Sequence, residues 1–143
     1  MAPRRYSGFI FAFITISIGG IIYVCFRDEN ILLFAGLRYF NINYSLFRQV
    51  HLGNNFISEF IIYNLPNGLW ALSGLLFLQT FLMDKKILNI YSLIYAGVCL
   101  LYETGQYFNI VPGTFDILDI VAIIIFSSIG LSINISWRKH EKV

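Results

Sequence analysis

LYETGQYFNIVPGTFDILDIVAIIIFSSIG, residues Leu101 to Gly130, decides how the rest of the chain is read. It sets Glu103, Gln106 and Tyr107 at the end of one apolar segment, turns through Pro112-Gly113, and opens the next with Asp116 and Asp119. Spacings of three and four place Glu103, Gln106 and Tyr107 on one helical face, and the spacing of three aligns Asp116 with Asp119. Three carboxylates are therefore expected to converge around one turn. Carboxylates inside membrane-spanning segments are expensive, so their presence in so apolar a stretch points to function.

Working outward, the composition settles the class. The chain has 143 residues, 57% hydrophobic, 17% aromatic and only 13% charged, with a mean hydropathy of +0.70. A soluble domain carries about a quarter charged residues. The expectation is an all-α integral membrane protein, a single domain over residues 1–143. Four segments approach the roughly 20 apolar residues a helix needs to cross hydrocarbon: Tyr6 to Phe26, Pro66 to Met83, Ile87 to Tyr107, and Phe115 to Trp137. They predict a four-transmembrane-helix bundle with no second soluble domain.

The first segment follows a short basic lead, Met1 to Arg5. A cleaved signal peptide would carry a shorter apolar run and a small-residue cleavage site; here Arg27-Asp28-Glu29 follows, so the segment reads as a retained helix. Ser17, Gly19 and Gly20 give it a face that another helix can approach closely. With the N-terminus cytoplasmic, four crossings put Arg4, Arg5, Lys85, Lys86, Arg138, Lys139 and Lys142 inside and only Arg27, Arg38 and Arg48 outside. The positive-inside rule then predicts both termini in the cytoplasm and the carboxylates facing out.

Residues 27–65 are too many for a plain connection. Asp28-Glu29-Asn30 before ILLFAGL reads as a helix start, Ser45 to Leu52 as a second short helix, Gly53-Asn54-Asn55 as a turn, and Phe56 to Tyr63 as a return into the membrane. The segment is rich in aromatics, among them Phe34, Tyr39, Phe40 and Tyr63. Such rings suit the membrane interface, so an extracytoplasmic interfacial helical belt is the favoured reading over a lid on the carboxylates. Pro66 suits the first turn of the second span, with Asn64 or Leu65 as its cap. Asn67 and Trp70 then lie at a depth similar to Glu103. Asp84-Lys85-Lys86 forces the second and third spans to pack antiparallel, with Ser73 and Gly74 facing Ala96 and Gly97.

Cys25 and Cys99 differ in depth by about 12 Å, beyond the reach of a disulfide, and read as packing residues. His51 and His140 fall in polar flanks with no catalytic partner. The HExxH metal pair and a Gly-rich phosphate loop are absent, so no metal, cofactor or nucleic-acid partner is expected. Glu103 sits about 6 Å below the end of its helix, and Asp119 a comparable distance below the start of its own. Two carboxylates at one depth cannot both ionise cheaply; one holds a proton or both share a cation, since no basic residue occurs within either span. Asp116, in the first turn, reads as a helix cap in competition with Thr114.

The order Glu103-x-x-Gln106, a short turn, Asp119 and a small-residue helix ending in Gly130 resembles the VanZ-like family of small multi-span bacterial membrane proteins. That family's pattern runs Glu-x-x-Gln, an Arg, then Asp, Asn and two Gly. Here PGTFD stands where the Arg is usual, Ile123 where Asn is expected and Phe126 where the first Gly would be. The resemblance implies an envelope protein of the bacterial cytoplasmic membrane linked to glycopeptide tolerance or to lipid and cell-wall handling. Loss of the Arg removes the natural partner of the acids and argues against anion binding.

Three functions fit. The first is a VanZ-like protein binding a membrane lipid, or another lipid-linked or small-molecule ligand with a cell-wall head group, through Glu103, Gln106, Tyr107, Asp116, Asp119, Asn67 and Trp70. The second is a small transporter or transporter subunit passing a cation or proton, which requires a homo-oligomer because four helices hardly enclose a pathway. The third is an interaction or immunity protein. Paired carboxylates also permit acid–base catalysis, although nothing marks a nucleophile.

Overall fold

A computed structural model describes residues 3–26, 32–43, 55–82 and 84–139, and all regular structure among them is helical. In chain order the helices are α1 (Pro3–Phe26), α2 (Leu32–Tyr39), α3 (Phe56–Tyr63), α4 (Leu65–Phe81), α5 (Lys85–Tyr107) and α6 (Ile117–Lys139). Two stretches, Ser7–Phe26 in α1 and Lys86–Tyr107 in α5, are long and apolar enough to cross a membrane. A third crossing is available if α3 and α4, bent by 43° where they meet, act as one. The apolar stretch described in α6, Ile117–Ile133, is shorter than a full span. The architecture is thus all-helical with two or three candidate spans, a coarser result than the predicted four.

The expected second span, Pro66 to Met83, corresponds to α4, and the expected return at Phe56 to Tyr63 corresponds to α3; the two helices meet at a bend at Asn64. Asn55 opens α3 with a reciprocal cap: its Oδ1 accepts from the Ser58 N–H at 2.8 Å, and Ser58 Oγ accepts from the Asn55 N–H at 3.1 Å. Asn64 ends α3, its N–H donating to Phe60 O, and its own carbonyl accepts from Gly68 in α4. Pro66 lacks an N–H and fixes the bend at the point where the ladder is interrupted anyway. The end of the predicted interfacial segment therefore leads directly into α4. The expected helix at Ser45 to Leu52, the Asp28-Glu29-Asn30 start, His51 and His140 lie outside the described residues. Within α2, Phe34 is fully buried, whereas Tyr39 and the following Phe40 are strongly exposed.

Helix α4 is the centre of the fold, packed chiefly against α1 and α6, with α5 and α3 making smaller contacts. Small residues set these approaches. On the α1 side, Gly19 lies against the Trp70 indole, and Ser73 Oγ donates to Ala12 O at 2.9 Å. On the α6 side, a Cβ on Gly68 would lie 2.5 Å from the Phe126 ring, and Gly130 rests on Leu75 and Leu72. Gln79 Nε2 donates to Gly130 O at 2.8 Å, a bond worth about 0.6 kcal/mol on average between helices in lipid. Ser73 therefore faces α1 rather than α5 as expected. The α4–α5 contact is made instead by Gly74 beneath the Tyr95 ring, with Tyr95 Oη donating to Trp70 O at 3.1 Å; Gly97 has open space around it. Ala12, Leu72 and Leu76 form the buried cluster at the heart of this packing, with Phe77, Phe126 and Ile133 against it. Phe11, Phe13 and Ile21 of α1, and Leu93 and Leu101 of α5, stay exposed, an apolar surface suited to hydrocarbon.

The short turn into α5 behaves as its sequence requires. Asp84 Oδ1 accepts from the N–H groups of Lys86 and Ile87 at 2.8 and 2.9 Å, satisfying two of the four donors a helix start leaves unpaired. At the other end of α5 the Ile110 N–H reaches Gly105 O and the Asn109 N–H reaches Gln106 O, with Asn109 in the left-handed region at φ 55°. This pair of bonds closes the helix and turns the chain toward Pro112-Gly113.

Candidate functional site

The site grows from three chain segments that the fold brings together: the end of α5, the start of α6 and the break between α3 and α4. Glu103 projects from the penultimate turn of α5 and Asp119 from the first turn of α6. Each is only 4% exposed, so neither carboxyl can rely on bulk solvent. Both line a single cavity of about 1040 Å³, at the upper end of the range for ligand sites. Asn67, Trp70 and Gln106 line it as well.

Asn64 holds this arrangement together. Although it sits at the cap position of α4, its side chain makes no cap bond. Instead Nδ2 donates to Asp119 Oδ1 at 3.0 Å and to Asp116 Oδ2 at 2.9 Å. An amide has two N–H donors, and Asn64 spends one on each carboxylate. Being 2% exposed, it makes both bonds in a setting where water cannot substitute. Asp116 uses its second oxygen locally: Oδ1 accepts from the Leu118 N–H at 2.9 Å, so it, not the exposed Thr114, caps α6. Asp116 thus anchors the start of α6 to the α3–α4 break, and it does not line the cavity.

The turn fits Gln106 tightly. Gly113 has φ +143°, and a Cβ there would lie 2.6 Å from Gln106 Cδ. Only glycine satisfies both the backbone angle and the close approach. Tyr107 departs from expectation. It is 61% exposed, its ring packs edge-on against Phe108 and Phe115 with centroids 5.1 Å away in each case, and it does not line the cavity. One helical position of rotation accounts for this: Glu103 and Gln106 define the inward face, and Tyr107 lies past its edge.

Five of the seven predicted residues therefore share one cavity, and two do not. The sequence reading missed Asn64, which it placed only as a backbone cap, and it missed the aromatic wall. Tyr23 of α1, Tyr63 of α3, and Tyr95 and Tyr102 of α5 line the same cavity as Trp70. The Tyr23 and Trp70 rings lie 5.0 Å apart at 42°. An Asn immediately ahead of Leu-Pro, within an otherwise apolar run, was the available signal. Cys25 and Cys99 are both free thiols, and Cys99 lies on the cavity wall. No family model, curated protein or solved structure matches the chain.

Proposed function

We propose that this chain is a VanZ-like envelope protein, a four-span bundle in a bacterial cytoplasmic membrane with both termini inside. Its outward-facing cavity binds the head group of a lipid or cell-wall intermediate. The supporting observation is that Glu103 and Asp119, from the two arms of one hairpin, line the same large cavity as Gln106, Asn67 and Trp70. A lipid suits such a place: its head meets polar side chains at the site, and its chains lie along the apolar outer surface of the helices. Binding needs no moving part, because Asn64 and the Gly113 turn already fix Asp119 and Gln106.

One observation favours a second reading, passage of a cation or proton through an oligomer. The break at Asn64 places an interrupted helix beside acidic groups, a device that transporters use to build ion sites. Native mass spectrometry of the gently solubilised protein tests the first reading. A retained lipid-sized mass, lost in Glu103→Gln and Asp119→Asn while helical content is unchanged, is the expected result. Absence of any retained ligand, with activity that follows membrane potential, would replace it with the second.

A further inference from the structure

We infer that the cavity takes an organic ammonium group, seated between the aromatic walls and the carboxylates of Glu103 and Asp119; this deepens the head-group reading and rests on it. The cavity has two kinds of lining. One is acidic, from Glu103 and Asp119. The other is aromatic, formed by Tyr23, Phe26, Tyr63, Trp70, Tyr95 and Tyr102. Acid alone would suit a metal ion, yet no three His, Cys, Asp or Glu residues among those described converge as a metal site requires. The space is also far larger than an ion fills. Rings alone would suit any apolar group. Rings together with carboxylates select a cation with an apolar skin, since the ring faces attract positive charge by their quadrupole and the carboxylates do so by their charge.

The wall chemistry also excludes the opposite sign. A phosphate or carboxylate entering first would meet two acidic side chains, whereas a zwitterionic head group can enter with its ammonium end and leave its phosphate at the mouth. The supporting geometry is fixed. Tyr95 is tied by its hydroxyl to Trp70 O, the Tyr23 and Trp70 rings pack together, and Gly19 and Gly74 leave room for both rings to sit where they do.

Calorimetric titration of the purified full chain in detergent tests this with choline and with 3,3-dimethylbutan-1-ol, its neutral carbon isostere. Choline is expected to bind saturably and about tenfold or more tightly than the isostere, the margin a desolvated cation–π site provides. Trp70→Phe should weaken choline about threefold or more, and Glu103→Gln more still, with the isostere unaffected. Equal affinity for the two probes, or no saturable choline binding, overturns the inference, and this comparison needs no variant to fold. Repeating the titration in bilayers of phosphatidylglycerol with and without phosphatidylethanolamine separates the sources: competition identifies a lipid head group, and its absence identifies a soluble ammonium compound. If native mass spectrometry retains a lipid that carries no ammonium, the ammonium inference falls while the proposed head-group function stands.

Discussion

Replacing Asn64 by Ala removes two hydrogen bonds that join the α3–α4 break to the start of α6, at 2.9 and 3.0 Å. A hydrogen bond to a charged group contributes about 1.5–3 kcal/mol. The bond to Asp119 sits at the full end of that scale, because the carboxylate is 4% exposed and water cannot replace the amide. The bond to Asp116 contributes less, since that residue is half-buried and keeps its bond from Leu118. Side-chain bonds between helices in lipid average only about 0.6 kcal/mol, as the unfolded chain also finds partners there. Weighing these, the loss should be about 2 kcal/mol, or roughly a thirtyfold change in the unfolding equilibrium. The assay is reversible unfolding in mixed micelles followed by far-ultraviolet circular dichroism, run as a double-mutant cycle with Asp119→Ala. A coupling of about 1–2 kcal/mol is expected, well above the 0.3–0.5 kcal/mol within which independent sites add. Additivity within that margin would refute the assignment of Asn64 as the clamp. Asn64→Asp should be worse than Asn64→Ala, because it sets a third carboxylate against the other two; a neutral result would show that the site does not need the amide donors of Asn64.

Three further outcomes follow from local geometry. Gly68→Ala should lower the unfolding midpoint, because its Cβ would meet the Phe126 ring at 2.5 Å, and Phe126→Ala should restore part of the loss in the double variant; no restoration would mean that the ring is not the obstacle. Gly113→Ala should displace Gln106 and strain the turn by about 1–3 kcal/mol, read as a drop in melting temperature and in ligand retention on native mass spectrometry; an unchanged protein would show that the turn tolerates a side chain. Asp84→Ala should cost about 1 kcal/mol from loss of the α5 cap, with no effect on ligand retention, since the cap lies at the opposite end of α5 from Glu103.

Phe126 shows how bulk on one helix is absorbed by packing against another. The bulk of Phe126 on α6 is accommodated by Gly68 on α4, fifty-eight positions away in the chain, so the two helices still approach closely. Packing likewise decides what the polar residues do. Asn64 reads as a cap because caps are local, yet its side chain was recruited by two aspartates far along the chain.

What the sequence alone determined is whatever depends on neighbours within a turn or two: the helical class, the extents of α1 and α5, the tight turn at Asp84-Lys85-Lys86, the Asp116 cap, the hairpin at Pro112-Gly113, and the shared face of Glu103 and Gln106. These follow from the 3.6-residue repeat, apolar length and side-chain bonds to nearby N–H groups, all of which are properties of contiguous residues. Only the tertiary structure decided that α3 and α4 meet at a 43° bend, that Tyr107 turns away, that Ser73 faces α1, and that Asn64 binds Asp116 and Asp119 across 52 and 55 residues. The physical reason is that spacing places a side chain on its own helix, but the cavity it lines is set by how closely glycine, alanine and serine let neighbouring helices approach.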